Sequence, residues 1–503
     1  MKRAGKLLLP ALLAAVFVMA AVLPPATLFT ASGAAEAAEN GKQTLIIYNW
    51  ADYIDEGSDE EGIKTPGIIE DFEAYYLKEY GIELEVRYST FDTNEQMLTT
   101  VEQGGEKIDL ICPSEYAIQR LMQGGYLQKL NKELLPNNAN IDQDIYTKVD
   151  SVFKGISVPE VGDSESMSDY FVPYMWGTLG ILYNTEYVKE ADLAHGYGLL
   201  WNKGGNPKLD GKIMLKDSIR DSYVAAVLYM KENGTLPDGK YASLSVEELI
   251  NTVDDTLLAA AEQVFIEQKE VGGGYEVDEG KNDMLNEKAY VSLQWSGDAV
   301  FAMEKLDTLD YFVPEIGGNI WFDGWVIPKN AQNTEAAHRF IDYLNRPEVA
   351  MRNSMYIGYV SAVDKDVLMG SAEAMAVLAD NGYTKEDYFG TEDEPNEIRY
   401  PDINNSTYGV MKDFGEYNTA AIEMWERVKK PDLMWILWVV LAVVGAAAIG
   451  VGIYFIVRKK GSVRKVSKVA SVNSGNGTAA AAPDDDGDES DEDEDDEDES
   501  EKE

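Results

Sequence analysis

The sequence predicts two α/β lobes held outside a cell, set between a leading export signal and one C-terminal membrane helix. Three observations predict it. Strand-like and helix-like patterns alternate from residue 39 to residue 432, more chain than a single sheet and core accommodate. Both ends of the 503-residue chain have compositions foreign to a globular domain. Three times a tryptophan stands two or three residues ahead of an aspartate, at Trp50–Asp52, Trp295–Asp298 and Trp321–Asp323, each time near the end of a strand-like apolar run. In α/β domains the loops beyond such strand ends surround the ligand crevice.

Residues 1–38 read as a signal peptide. Lys2, Arg3 and Lys6 precede an apolar run at 7–23, and Ala35-Glu36-Ala37 offers small residues for cleavage. The run is long for a signal, so an uncleaved N-terminal anchor is the alternative. Residues 44–50 form a buried strand. Thr65-Pro66 then opens a helix, with Thr65 as cap and proline at the first helical position, and Ile69, Phe72, Tyr76 and Tyr80 recur at helical spacing. Strands are predicted at 83–89 and 108–114, with a helix at 94–103 between them. Later strands are expected at 180–184, 213–216, 289–295 and 325–328, and helices at 246–261 and 334–343. Residues 55–62 read as a solvated acidic turn whose spacing does not match an EF-hand, and 159–168 and 272–274 as insertions or turns. The lone cysteine, Cys112, falls inside an apolar run, which predicts a buried thiol and excludes a disulfide within the chain.

Residues 433–457 carry no charge and as a helix would extend roughly 37 Å, against a hydrocarbon core of ~30 Å. Arg458, Lys459, Lys460, Arg464, Lys465 and Lys468 follow with no acid among them, which places that side in the cytoplasm. The expectation is a single-pass membrane protein with its large domain extracytoplasmic. Residues 461–483 are a Ser/Gly/Ala-rich linker, and residues 484–503 hold sixteen acids in twenty positions, a disordered composition.

The net charge of −46 concentrates in residues 39–432, which alone carry −39. A surface this acidic repels nucleic acid and draws cations, though solubility in a salty habitat explains acidity equally well. Two histidines at unrelated positions, His195 and His338, give no metal-ligand spacing, so no metal is predicted. No nucleophile elbow, phosphate loop or dinucleotide fingerprint is present, and no cofactor is expected. A carboxylate pair for glycoside hydrolysis remains open, because acids abound and tryptophans also suit sugars.

The tryptophan–aspartate pairs carry the chemistry. An indole face attracts an alkylammonium through its quadrupole, and a nearby carboxylate supplies the full opposite charge. Each pair alone also fits a core tryptophan beside a capping aspartate. Their recurrence and placement favour a slot for a ligand with several amines on an apolar chain.

In order, these sites and their neighbours resemble the spermidine/putrescine-binding proteins of polyamine ABC importers. The stretches that carry the resemblance are Tyr48-Asn-Trp-Ala-Asp-Tyr-Ile54, Tyr88-Ser-Thr-Phe-Asp-Thr-Asn-Glu95, Asp109-Leu-Ile-Cys-Pro-Ser-Glu-Tyr116, Val172-Pro-Tyr-Met-Trp-Gly177, Leu293-Gln-Trp-Ser-Gly-Asp298, Ile320-Trp-Phe-Asp323 and Leu344-Asn-Arg-Pro-Glu-Val349. The first is specific and the helical stretches less so; nothing in the family resembles residues 433–503. The resemblance implies a two-lobed periplasmic-binding fold (type II-like) that closes by hinge motion. Chain crossings near Val172-Pro173 and between Pro314 and Asp323 assign residues 39–172 and 324–400 to one lobe, and 173–323 and 401–432 to the other. It implies ligand-binding roles for Trp50, Asp52, Tyr53, Ser114, Tyr116, Asp221, Trp295, Asp298, Trp321, Asp323 and Tyr359. It further implies a monomeric receptor, not an enzyme, that delivers polyamine to a separate permease and ATPase. One departure is Ser218, where spermidine-preferring members carry an acid; Asp298 instead looks like the putrescine-preferring pattern. Another organic cation, such as a thiamine-like ligand, is the alternative on the same fold. A sensory ectodomain is disfavoured because the cytoplasmic segment is short and low in complexity.

Overall fold

The computed structural model describes residues 42–60, 63–430 and 440–456. The expected signal at 1–38 and the tail at 458–503 lie outside the described residues. The chain divides into two units, Met1–Lys429 and Lys430–Glu503.

The first unit is built on an eleven-stranded sheet in two halves that share its longest strand. In chain order the strands are β1 Gln43–Trp50, β2 Leu84–Phe91, β3 Leu110–Ile111, β4 Phe171–Asn184, β5 Ile213–Lys216, β6 Gly274–Glu276, β7 Val291–Trp295, β8 Leu309–Phe312, β9 Gly318–Val326, β10 Val360–Ser361 and β11 Tyr408–Gly409. In the first half β1 lies parallel to β2, from Gln43↔Leu84 to Trp50↔Phe91, and parallel to β3. β3 meets β9, and β9 runs antiparallel to β4 between Phe171 and Thr178. In the second half the remainder of β4 pairs with β7 and β8, and β5 lies parallel to β7 and β6. Every residue of β4 and of β9 is buried. Helices cover the faces of such a sheet, so its central strands carry nearly continuous apolar sequence in place of alternation.

Asn94–Gln103 is helical as the periodicity predicts, with the Thr93 hydroxyl accepting from the Gln96 amide at its N-terminus. β5 and the helix Thr334–Leu344 also match the sequence closely. Several elements differ: the strand expected at 180–184 begins at Phe171, the one expected at 325–328 runs from Gly318 to Val326, and three further segments depart in kind. Ile63–Pro66 is not a helix start: it pairs with Gly57–Glu60 as a hairpin, so the chain stays extended through Pro66 and the helix Ile68–Tyr80 begins after Gly67. The expected helix at 246–261 is two, Val246–Ile250 and Asp255–Gln268. Asn251 is drawn away by hydrogen bonds to Glu247 O and Val410 O, and Asp254 starts a new helix by accepting from the Leu257 amide. The segment expected to be an irregular insertion at 159–168 contains half of a second hairpin, Ile156–Val158 with Gly162–Glu165. Cys112 is buried, and His338 is a core residue whose Nε2 accepts from the Asn131 amide at 2.8 Å.

Of the second unit, residues 440–456 form one helix whose apolar side chains, Val440, Leu441, Val443, Val444 and Ile449 among them, are exposed. Residues 433–439 and 457 of the expected span lie outside the described residues. The described helix reaches about 25 Å at 1.5 Å per residue, short of a ~30 Å core. Among the described residues no helix is long and apolar enough to cross a membrane.

Candidate functional site

The parallel strands aim their C-terminal ends at one cleft. β1 ends on Trp50, and the chain turns at Asp52, whose φ of +51° is a left-handed conformation that aspartate tolerates better than most residues. β2 hands over through Asp92 and Thr93 to the helix carrying Asn94 and Glu95. β3 leads through Cys112 and Pro113 to Ser114. In the other half β5 leads to Ser218, which caps the helix Ile219–Glu232 by accepting from the Asp221 amide. β6 leads to Val277, Asp278 and Lys281, and β7 runs directly into the helix Ser296–Met303 that carries Asp298. Trp321 and Asp323 come from β9, where the pairing with β4 slips between Asp323 and Gly324. A Cβ at position 324 would stand 2.3 Å from the Phe171 ring, so the glycine permits this close approach.

All eleven residues singled out in the sequence line this cleft of about 710 Å³, a volume that includes open solvent. Sequence reasoning missed ten lining residues as contacts: Ala51, Asp92, Thr93, Asn94, Glu95, Ser218, Val277, Asp278, Lys281 and Met411. The signal for several was available, because Asp92 to Glu95 lie within the stretch Tyr88–Glu95 and Ser218 is the departure from the spermidine-preferring pattern. Lys281 had no signal. Seven lining carboxylates (Asp52, Asp92, Glu95, Asp221, Asp278, Asp298 and Asp323) face this single lining ammonium. Glu95, Asp221 and Asp298 each occupy the first turn of a helix, where the N-terminal end of the backbone dipole stabilises negative charge.

The carboxylates divide into two groups. Among the described residues no lysine or arginine makes an ion pair with Asp323, Asp221 or Glu95. Asp323 Oδ2 accepts from the Tyr53 hydroxyl at 2.8 Å, while its Oδ1 lies buried without a hydrogen-bond partner in the protein. Burial pushes the Asp323 carboxyl up to about 7, the nearby hydroxyls of Ser114 and Tyr53 pull it back in part, and the charge of Asp221 adds to the rise. Asp221 Oδ1 accepts from the Trp295 indole at 3.1 Å, and burial raises this carboxyl too. Glu95 accepts from the Tyr116 hydroxyl at 3.3 Å, and Asn94 ties Tyr116 and Ser114 together through hydrogen bonds of 3.0 Å. Beneath them Glu115, fully buried, is pushed by desolvation up to about 8 and therefore adds little charge at neutral pH.

The other group is already paired. Lys281 Nζ stands 3.4 Å from Asp52 Oδ2 and 3.4 Å from Asp298 Oδ1. Lys216 Nζ lies 3.8 Å from the second oxygen of Asp298, 3.1 Å from Glu276 and 4.0 Å from the centroid of the Trp295 ring. A face of Trp295, expected to attract a ligand amine, thus holds a lysine of the protein. Burial works against the charge of Lys281, but Asp298 and Asp52 outweigh it and raise its pKa. Aromatic rings complete the walls. Tyr53 meets Tyr359 edge-on at 5.1 Å, Trp321 meets Tyr359 at 5.7 Å, and Trp50 packs on Phe91 at 4.6 Å.

Residues 67–374, more than half of the chain, match the model of the family described as bacterial extracellular solute-binding protein. The spermidine/putrescine-binding periplasmic protein of Escherichia coli is 28% identical over 332 residues, covering 65% of this chain and 80% of that relative. The putrescine-binding periplasmic protein SpuD of Pseudomonas aeruginosa is 29% identical over 360 residues, covering 69% and 82%. Among solved structures, a putative spermidine/putrescine ABC transporter from Listeria monocytogenes superposes with a TM-score of 0.58 at 28% identity, covering 77% of this chain and 98% of that one. The substrate-binding protein PotD of Streptococcus pneumoniae gives 0.52 at 26% identity, covering 77% and 100%.

Proposed function

Because the chain belongs to the bacterial extracellular solute-binding protein family, we propose that it is the polyamine receptor of an ABC importer, taking up putrescine or spermidine outside the cell and handing it to a separate permease and ATPase. Receptors of this family bind and release, so the carbohydrate-acting alternative falls away and the protein is not an enzyme.

The observation that carries the reading is the cleft itself, where carboxylates without a cation partner stand among aromatic faces. An ammonium leaves water without loss only when charge-assisted hydrogen bonds replace its hydration shell. Each buried methylene between the amines adds about 0.8 kcal/mol. Asp323, Asp221 and Glu95 meet the first need, and Trp50, Tyr53, Trp321 and Tyr359 meet the second. On this basis we assign ligand contact to eight of the eleven predicted residues, Trp50, Tyr53, Ser114, Tyr116, Asp221, Trp321, Asp323 and Tyr359, while Asp52, Trp295 and Asp298 line the cleft facing protein lysines. The two lobes exchange chain near Val172-Pro173 and within Pro314–Asp323, and β9 slips register at the end of that interval, which suits a hinge.

The apolar span 433–457 tethers the receptor to the membrane in this reading, with the binding domain extracytoplasmic and the C-terminus in the cytoplasm. Its support is the uncharged sequence followed by six basic residues, together with the exposed apolar surface of residues 440–456.

Calorimetric titration of the purified protein with putrescine, spermidine, thiamine and a neutral disaccharide tests the function. Saturable binding of a polyamine, with none of the disaccharide, is the expected result. Binding of thiamine in preference to both polyamines would replace the ligand class on the same fold, and binding of none would overturn the reading.

A further inference from the structure

The geometry points to Lys281 as a specificity-determining residue: its ammonium fills the Asp52–Asp298 end of the cleft as a tethered cation, leaves the Asp323–Asp221 end to the ligand, and so favours a diamine over a triamine. The inference rests on the polyamine reading above and concerns which polyamine the site takes.

Lys281 is itself held as a ligand amine would be. Its Nζ lies 3.4 Å from one oxygen each of Asp52 and Asp298, and 5.4 Å from the centroid of the Phe301 ring. Two carboxylates and an aromatic face are what a terminal ammonium requires. The position is fixed from behind, because Lys281 belongs to the short helix Gly280–Leu285 and is 9% exposed. The helix itself is anchored where the Gly280 amide donates to Glu276 Oε2 at 2.8 Å. Glu276 in turn binds Lys216, which faces the remaining oxygen of Asp298. Both oxygens of Asp298 therefore face protein cations before any ligand arrives. A third ligand amine at this end must either evict Lys281 from two carboxylates or lie beside a like charge, and both are unfavourable. Among the described residues Asp323 and Asp221, at the opposite end, make no ion pair, Asp221 feeling Lys216 and Arg220 only at longer range, and a diamine uses them without disturbing Lys281.

The full-length protein and three variants, Lys281→Gln, Lys281→Met and Lys281→Arg, are titrated with putrescine and spermidine, with circular dichroism to report the fold. The wild type should bind spermidine no more tightly than putrescine. In Lys281→Gln and Lys281→Met the ratio of spermidine to putrescine affinity should rise about tenfold or more, because Asp52 and Asp298 become free for the third amine. Lys281→Arg keeps the charge and should keep the wild-type ratio. An unchanged ratio in folded Lys281→Gln or Lys281→Met, or equal weakening of both ligands, overturns the assignment. Should neither neutral variant fold, the wild type decides alone, since marked preference for spermidine contradicts a filled third site. A wild type that binds neither polyamine rejects the polyamine reading itself, and this inference with it.

Discussion

The two ends of the cleft are both acidic, yet one is electrostatically finished and the other is not. Asp52 and Asp298 share Lys281, with Lys216 behind Asp298, so folding alone supplies their counter-charge. Asp323 is hydrogen-bonded by the Tyr53 hydroxyl and has no ion-pair partner among the described residues, and burial pushes its carboxyl up to about 7, with the charge of Asp221 adding to the rise. Acidity in a binding cleft therefore has two meanings. At one end Asp298 positions buried protein lysines, and its removal should be felt by the fold, whereas Asp52 is largely exposed and contributes less. At the other end Asp323 lacks an ion-pair partner until a cation arrives, and its removal should be felt by the ligand.

Exchanging the two aspartates in turn gives the largest expected effects and the sharpest contrast. Asp323→Asn should weaken polyamine binding by about 3 kcal/mol, roughly a hundredfold, because it removes the charged partner of a desolvated ammonium. The same change should leave the free protein as stable or more so, since it removes an unpaired buried carboxyl. Asp298→Asn should do the reverse. It leaves the buried Lys281 and Lys216 short of a counter-charge, and losing one member of such a set costs about 3 kcal/mol of stability. Calorimetry and denaturant melts on both variants check the pair. Equal losses of affinity with equal losses of stability would erase the distinction between the ends.

The pH dependence of binding distinguishes the ends at a smaller scale. A protonated carboxyl cannot neutralise an ammonium, so ligand binding must displace the proton from Asp323. With a free-state value of about 7 and a lower value in the complex, affinity should fall about tenfold from pH 8 to pH 6. Burial raises Asp221 and Glu95 as well, and Asp278 is pushed up to about 6 by burial with Asp298 adding to it, so these groups act in the same direction. The slope should shrink in Asp323→Asn. A flat wild-type profile would mean that Asp323 is already ionised in the free protein and that the open end is less desolvated than its burial implies.

What the sequence made legible was local. The helix Asn94–Gln103 follows from its cap and its period, and β5 from four residues between turn formers. Each tryptophan–aspartate pair is also local, since a strand end and the following loop are contiguous, and all three pairs meet at the cleft. The length of β4 was hidden because Pro173, Gly177 and Gly180 interrupt its strand-like pattern, and tertiary pairing overrides them. The split of residues 246–261 was hidden because Asn251 is claimed by Val410, far along the chain. The division of the cleft was hidden for the same reason. Nothing near Lys281 in sequence announces Asp52, so the lysine that occupies the site reads as one more surface charge until the strands are assembled.

Ser218 offers the smallest and most selective perturbation, because it lines the cleft at the open end while also capping a helix. Its hydroxyl accepts from the Asp221 amide at 3.4 Å, and an aspartate serves as an N-cap about as well as a serine. Ser218→Asp should therefore leave the helix Ile219–Glu232 and the melting temperature essentially unchanged. It adds a carboxylate beside Asp221, and two acids in one first turn repel each other unless a cation joins them. A triamine can supply that cation where a diamine, already spread across Asp221 and Asp323, has no further charge to give. The expected result is a shift of a few-fold toward spermidine in a competition titration, smaller than that of Lys281→Gln because no resident cation is removed. Combining Ser218→Asp with Lys281→Gln then tests whether the ends are independent. Additive shifts would mean that the third amine can lie at either end, whereas a shift in Lys281→Gln that Ser218→Asp leaves untouched would place it beside Asp52 and Asp298 alone.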